Sequence, residues 1–160
     1  MTPTYTIRPA QASDREQWQP LWEAYLVFYE SVLPSENTNR LWDRIMNPDH
    51  GIQCLVAEST EEPGTLVGMV QYFPHDHTWE EKRVCYLQDL YVNETIRGGG
   101  IGAALIKGVE QAAADNDWKF VYWQTKNDNT RARGLYDKLT GGANGFITYR
   151  LGAGTATPLK

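Results

Sequence analysis

Four glycines stand at the point where an apolar, strand-like run gives way to a helical pattern. They lie in the stretch 93–110, "NETIRGGGIGAALIKGVE", and are Gly98, Gly99, Gly100 and Gly102. Glycine lowers helix stability, and it loses more conformational freedom on folding than any other residue. Such a run at the start of a helix therefore indicates a backbone function that side chains would obstruct.

The position of the glycines is typical of a phosphate-binding turn, where free backbone N–H groups and the positive end of a helix attract an anion. A dinucleotide-binding fingerprint fits the letters from Gly98 to Ala103. It should follow the first strand, however, and here it follows the fourth, with no acid ending the next strand. A Walker A loop is excluded because Lys107 follows Ile106 instead of glycine. A merely flexible turn explains neither Arg97 nor the immediate start of the helix.

Hydrophobic periodicity predicts one α/β domain that spans the whole chain, with the element order β-α-α-β-β-β-α-β-α-β. The predicted strands are 4–8, 52–58, 65–73, 84–92, 119–125 and 145–151, and the predicted helices are 13–30, 38–46, 101–115 and 129–139. We expect Ser13 and Glu16 to form a capping box and Pro20 to kink the first helix. Strand 119–125 is almost continuously apolar, which favours a central position in the sheet.

Composition limits the classes of partner. The 160-residue chain has a formal net charge of −5, which argues against nucleic acid, because nucleic-acid binders normally present a basic face. No apolar run approaches the ~20 residues that span a bilayer, and the N-terminal sequence lacks the apolar core of a signal peptide. We expect a cytoplasmic protein that binds neither nucleic acid nor membrane. Cys54 and Cys85 are expected to be reduced core thiols, and residues 152–160 a mobile tail.

Two motifs together resemble one enzyme family. Arg97 to Gly102 spell R-x-x-G-x-G, and "NDNTRARGLYDKL" contains N-x-x-A-x-x-L-Y from Asn129 to Tyr136. With "LQDLYV" upstream, these motifs resemble those of the GNAT acetyltransferases, closest to the histone/polyamine-acetyltransferase-like branch. The resemblance implies the acyl-CoA N-acyltransferase fold, a central mixed α/β sheet flanked by helices. It also implies acetyl-CoA as cofactor, N-acetyltransferase activity, and a homodimer in which the C-terminal strand takes part.

The same resemblance implies which residues contact coenzyme A. They are Leu90, Tyr91, Val92, Arg97, Gly98, Gly99, Gly100, Ile101, Gly102, Ala103, Asn129 and Tyr136. A main-chain N–H near Leu90 or Tyr91 would polarise the thioester oxygen, a contact typically worth ~3 kcal/mol. Tyr136 would protonate the departing thiolate, with a phenol pKa of ~10 against a thiol pKa of ~8.5. Asn129 has a second interpretation as a helix N-cap, and Tyr136 as a buried aromatic residue.

The acceptor amine must lose a proton, because an alkylammonium has a pKa of ~10.4. Relatives often carry a catalytic glutamate where this chain has Gln88, and a glutamine cannot act as a base. Strand alternation predicts that Asp89 points to the face opposite Gln88, and that Tyr86 shares the face of Gln88 and joins a water relay there. The identity of the base is open among these groups.

The acceptor itself is expected to bind between the first helical region and the loop 74–83. Trp22, Tyr25, Phe28 and Tyr29 are candidates for an aromatic wall, and Asp89 for a contact with the substrate cation. Core packing is the alternative interpretation for these four rings.

The chemistry expected at this site is direct transfer of an acetyl group to a primary amine. The chain has no nucleophile motif that would carry a covalent intermediate. His75-x-His77 has no third ligand near it in sequence, so no metal is expected. We expect a small-molecule amine, either a polyamine or an amino acid. A protein lysine or amino terminus is the alternative acceptor, and a catalytically silent acyl-CoA-binding regulator is the alternative function.

Overall fold

The computed structural model describes residues 4–96 and 98–154. Five strands form one sheet in the order β1-β2-β3-β4-β5. The strands are β1 (Tyr5–Pro9), β2 (Gln53–Ser59), β3 (Leu66–His75), β4 (Val84–Val92) and β5 (Val121–Tyr122), and the helices are α1 (Arg15–Phe28), α2 (Ser35–Met46), α3 (Ile101–Asp115) and α4 (Thr130–Thr140). Strands β1 to β4 pair antiparallel, whereas β5 runs parallel to β4. The predicted mixed α/β sheet is confirmed.

The chain divides into two compact units, Met1–Gln124 and Thr125–Lys160. The first unit contains the sheet with helices α1, α2 and α3, and the second contains α4 and the residues after it. The expectation of one domain over 1–160 stays a prediction. The expected tail lies mostly outside the described residues, which end at residue 154.

Successive residues of a strand point to opposite faces of the sheet, and here both sets are apolar. Helices therefore cover the sheet. One face carries a buried cluster with α1 and α2, made of Trp18, Leu21, Trp22, Trp42, Cys54, Val56, Leu66 and Met69. In β2, the intervening Leu55 instead packs against α3, where a Cβ added at Gly108 would lie 2.8 Å from the Leu55 Cδ1 atom. Glycine at this position allows the close approach of α3. Both cysteines are buried and unpaired, as predicted.

The predicted start of the first helix is wrong, whereas the kink at Pro20 stays a prediction. Helix α1 begins at Arg15 and continues through Pro20 without interruption. The expected capping box of Ser13 and Glu16 does not form. Asp14 takes that role in a preceding 3₁₀ turn, where its carboxylate accepts the Gln11 backbone N–H at 2.7 Å.

Two predicted strands also differ from the structure. Strand 119–125 pairs over only two residues and lies at the edge of the described sheet. Its aromatic residues contact neighbouring rings, as Phe120 does with His77 at 5.7 Å, and do not fill a central strand position. The predicted strand 145–151 is exposed throughout, and it is irregular apart from an isolated bridge residue at Leu151. Helix α4 is the only regular element described in its unit, so no neighbouring strand completes a ladder there.

Trp18 is the fully buried centre of the α1 face. Its ring lies 6.2 Å from that of Trp22 and 4.8 Å from that of Trp42. Its Nε1–H donates to the Gln71 Oε1 atom at 3.0 Å. The buried Nε1–H of Trp22 has no acceptor within the described residues. Two neighbouring indoles therefore differ in whether a hydrogen bond holds them.

We predict that Trp18→Phe destabilises the protein more than Trp22→Phe. Both substitutions remove the same volume, but only the first leaves the buried Gln71 oxygen without a donor, which costs ~1–3 kcal/mol. Urea unfolding of the two variants measures the difference in the free energy of unfolding. Equal losses would show that the bond between Trp18 and Gln71 contributes nothing to stability.

Candidate active site

The glycine loop adopts a conformation that ordinary residues avoid. Gly98 has a φ of 97° and Gly100 a φ of 76°, and Gly100 is the N-cap of α3. A Cβ added at Gly98 would meet nothing within 4 Å, so backbone conformation, not crowding, requires glycine there. No side chain among the described residues caps α3. The first N–H groups of the helix are therefore left to an external acceptor such as a phosphate.

The other residues predicted in this loop fall into two groups. Ile101 is buried and anchors the start of α3, while Gly102 and Ala103 are half-buried in its first turn, and Gly99 is exposed. Arg97 lies outside the described residues. The structure thus brings the predicted glycines to the first turn of one helix.

The end of β4 is positioned against the start of α3 by close packing. Leu90, Tyr91 and Val92 pair with β3, and Val92 lies opposite Gly68. A Cβ added at Gly68 would come within 3.1 Å of the Tyr91 carbonyl oxygen and 3.3 Å of Ile101 Cγ2. The lack of a side chain at Gly68 therefore sets the spacing between β4 and the glycine loop.

On its other side, β4 loses its neighbour after a short parallel ladder. The pairs Cys85–Val121 and Tyr86–Tyr122 are the ladder between β4 and β5 within the described residues. From Leu87 to Val92, the described ladder of β4 therefore continues on the β3 side alone. This is the position at which an extended ligand arm can pair with the main chain of β4.

A one-residue shift in register interrupts β4 at Gln88. Gln71 lies opposite Asp89 and Tyr72 lies opposite Leu87, so the extra residue Gln88 has no partner across the ladder. A bulge of this kind re-aims the residues that follow it. Asp89 is buried and Gln88 is exposed, which fits the opposite faces predicted for them, whereas the face predicted for Tyr86 stays a prediction. Asp89 and Tyr86 lie close enough to interact electrostatically. Gln88, the predicted catalytic position, is exposed.

Asp89 is a buried carboxylate held by two donors. The Gln71 Nε2 atom donates to its Oδ2 at 2.8 Å, and the Tyr25 hydroxyl donates to the same carboxylate. Burial raises the pKa of Asp89, and the two hydrogen bonds offset that effect only in part. The carboxylate thus joins β3, β4 and α1 at one point.

The rings named as candidates for an aromatic wall lie in contact near the C-terminal end of α1, and their role as a wall stays a prediction. The Tyr25 ring lies 5.4 Å from that of Trp22 and 4.9 Å from that of Tyr29, which in turn meets Phe28 at 5.0 Å. Burial raises the pKa of the Tyr25 hydroxyl, and the neighbouring Asp89 charge raises it further. Trp22 belongs to the core, as the alternative interpretation predicted, whereas Phe28 is exposed.

In the second unit, Asn129 and Tyr136 lie on α4 and just before it. Asn129 occupies the N-cap position, but its side chain makes no capping bond and instead donates to Thr125 Oγ1 at 3.2 Å. Tyr136 is half-buried, seven residues further on. That spacing of two turns places the two residues on one face of the helix.

Sequence reasoning missed two residues of the Asp89 cluster. Gln71 and Trp18 bond to each other, and Gln71 orients the carboxylate. The signal was one amide inside the apolar run "TLVGMVQYF", because a buried amide needs partners. Among residues 4–96 and 98–154, no group of three or more His, Cys, Asp or Glu side chains could hold a metal. None of the helices described there is long and apolar enough to cross a membrane.

The sheet order and the left-handed glycine loop are those of an acetyltransferase. The chain belongs to the acetyltransferase (GNAT) family, whose model matches residues 18–141. It is 33% identical to the D-amino-acid N-acetyltransferase HPA3 of Saccharomyces cerevisiae over 133 residues, which cover 83% of this chain and 82% of that protein. It is 36% identical to the thialysine N-epsilon-acetyltransferase of Bos taurus over 91 residues, 54% of this chain and 53% of that one.

The fold is also that of a solved relative. The crystal structure of a probable acetyltransferase matches with a TM-score of 0.81 at 24% identity, covering 92% of this chain and 97% of that one. At this level of identity the likeness establishes the fold alone.

We predict that Asp89→Asn stabilises the protein near neutral pH. An aspartate ordinarily ionises near 3.8, and burial raises the pKa of Asp89 in the folded chain. The folded state then binds more protons than the unfolded state, so stability falls as the pH rises through that interval. The asparagine amide oxygen accepts from Gln71, the Tyr25 hydroxyl can rotate to accept from the amide nitrogen, and no charge is buried.

Urea midpoints across a pH series measure this effect, with the exposed Asp43→Asn as control. The gain from Asp89→Asn should shrink as the pH falls towards 3.8, the ordinary aspartate value. A constant difference at all pH values, or a loss of stability at neutral pH, would contradict the prediction.

Proposed function

We propose that this acetyltransferase transfers an acetyl group from acetyl-CoA directly to a primary amine of a small molecule, a polyamine or an amino acid. The observation that carries this proposal is the buried Asp89 carboxylate, which Gln71 and Tyr25 hold beside an aromatic wall. A carboxylate next to aromatic faces is suited to an ammonium group.

The residues on the cofactor side fit coenzyme A. The left-handed Gly98 and Gly100 and the uncapped first turn of α3 suit a diphosphate. The main chain at Leu90, Tyr91 and Val92 has β3 on one side, and its ladder with β5 has ended. When bound, acetyl-CoA supplies an activated acyl group as a thioester. A main-chain N–H near Leu90 or Tyr91 would orient and polarise the thioester carbonyl.

Polar side chains have the remaining roles in substrate binding and proton transfer. Asp89 binds the substrate cation. Gln88 occupies the position where relatives often have a catalytic base, but a glutamine cannot act as a base. Tyr136 donates a proton to the leaving sulfur, and Asn129 binds the pantetheine arm; the N-x-x-A-x-x-L-Y motif supports both roles. The amine loses its proton through other groups on the face of Asp89.

The relatives support an amino-acid-like acceptor. One is described as acting on D-amino acids and another on thialysine, a molecule with a primary amine. The unpaired thiols of Cys54 and Cys85 fit a reducing, cytoplasmic compartment. A protein amine is the second candidate, because the side chains of Val27 and Phe28 at the end of α1 are exposed and offer a surface to a peptide.

Thiol release from acetyl-CoA across a panel of polyamines, D- and L-amino acids and lysine peptides tests the proposal. We expect acceleration by a small amine, and a loss of about 100-fold or more in kcat for Tyr136→Phe, the usual range for a general acid. The exposed Tyr149→Phe is the matched control. Binding of acetyl-CoA without acceleration by any amine would favour a silent regulator, and acceleration by peptides alone would favour a protein substrate.

We also propose a homodimer in which the segment 145–151 takes part. Its apolar residues are exposed in the described chain: Phe146, Ile147, Tyr149 and Leu151. Sedimentation should give twice the 18.2-kDa chain mass, and Ile147→Asp should yield monomers. Val32→Asp, at another exposed apolar position, should leave the dimer intact. A monomeric wild-type protein would exclude the dimer.

A further inference from the structure

His75 and Tyr122 form a hydrogen-bonded pair that the acetyltransferase site, as described above, does not use. The His75 Nε2 atom lies 2.6 Å from the Tyr122 hydroxyl oxygen, and its Nδ1 atom lies 2.7 Å from the Asp76 carbonyl oxygen. A carbonyl oxygen can only accept, so Nδ1 carries the ring hydrogen. Nε2 of the neutral ring therefore accepts the hydrogen of the Tyr122 hydroxyl.

This arrangement is that of an activated hydroxyl. A hydroxyl donates to an imidazole, and a third group holds the imidazole in the tautomer that accepts. Both contacts are short, and the two rings meet edge to face at 5.7 Å. The pair can therefore take up a proton at the Tyr122 hydroxyl and hold a proton on His75 Nε2.

The pair lies where the ladder between β4 and β5 ends. Tyr122 is opposite Tyr86 in the last parallel pair, and their ring centroids are 5.0 Å apart. Beyond that pair begins the part of β4 that we propose meets the thioester. Tyr122 thus lies at the last paired position of β5, before its ladder with β4 ends.

Tyr86 lies near both this pair and the acceptor side. Its ring is 5.0 Å from that of Tyr122, and its hydroxyl donates to the Gln124 Oε1 atom at 3.4 Å. Burial raises the pKa of Tyr86, and Tyr122 and Asp89 each raise it further, which places Tyr86 within electrostatic reach of both. Asp89 is bonded in turn to the Tyr25 hydroxyl.

We propose that His75 is the terminal acceptor of the proton that the amine loses, with Tyr122 as the relay. The inference rests on the proposed function. Acetylation of an ammonium group yields amide, thiol and one free proton. The N–H bond of the ammonium breaks, and its proton reaches the Tyr122 oxygen through a water molecule. The Tyr122 hydroxyl proton moves to His75 Nε2, and the imidazolium returns it to solvent.

The charged side chains of the loop that follows His75 pair with each other. The Arg83 Nε atom lies 3.6 Å from the Asp76 carboxylate, and Arg83 also donates to the Pro74 carbonyl. From β5, Tyr122 faces His75, and burial together with the Cys85 thiol raises the pKa of the Tyr122 hydroxyl. Loss of a relay through the pair should change the pH–rate profile.

The test compares His75→Gln, Tyr122→Phe and the double variant with wild type, using kcat/KM for the amine between pH 5.5 and 10. Each single variant should lose about 10- to 100-fold at pH 7 and regain activity as the pH rises, as expected for a missing acid–base group. The double variant should lose no more than either single one, because the two residues act as a unit. The KM for acetyl-CoA should not change.

His77→Gln is the matched control, since His77 accepts the Trp79 backbone N–H and meets Phe120 edge to face instead of joining the pair. It should keep the wild-type profile. An unchanged pH profile in His75→Gln would overturn the relay while leaving the acetyltransferase proposal intact. A wild-type protein that acetylates no amine would overturn the proposed function, and the relay with it.

Nitrogen NMR of the imidazole rings in the cofactor-free protein gives a readout independent of activity. We expect His75 as the Nδ1–H tautomer in wild type, and a mixture of tautomers in Tyr122→Phe. An Nε2–H tautomer in wild type would overturn the proposal.

Discussion

The proposed acceptor side of this protein depends on one irregularity in a hydrogen-bonded ladder. Between β3 and β4, a single extra residue at Gln88 shifts the register, so that Asp89 lies opposite Gln71. A carboxylate at this position is costly to bury unless donors compensate it. Gln71 and Tyr25 supply those donors, and Trp18 fixes the orientation of the Gln71 amide. The bulge, the strand, the helix and the carboxylate are therefore one structural unit.

The two sides of the proposed site depend on different parts of the chain, one on the backbone and the other on side chains. The cofactor side depends on backbone: left-handed glycines, the first turn of α3, and the end of β4, spaced by Gly68. The acceptor side depends on side chains that α1 packs against β3 and β4. Substitutions on the acceptor side can therefore alter which amine is bound while the cofactor side stays intact. That division fits a family whose members have different acceptors, such as D-amino acids and thialysine.

The sequence predicted those parts of the site that follow from local rules. The glycine run, the strand before it and the helix after it are properties of neighbouring residues, and all three formed as expected. The bulge at Gln88 is different, because its register depends on pairing with β3, and the period of two within β4 contains no trace of it. The same reason explains the edge position of β5 and the irregular segment 145–151. Whether an apolar run becomes a central strand depends on partners that are distant in sequence.

The central claim is that the bulge places the Asp89 carboxylate where the acceptor cation binds. The most direct test is steady-state kinetics of Asp89→Asn with the best amine of the panel. Because asparagine keeps the shape of the side chain but not its charge, the KM for the amine should rise about tenfold or more, the loss expected for one charge-assisted hydrogen bond. The KM for acetyl-CoA should stay the same. An unchanged KM for the amine would contradict the account.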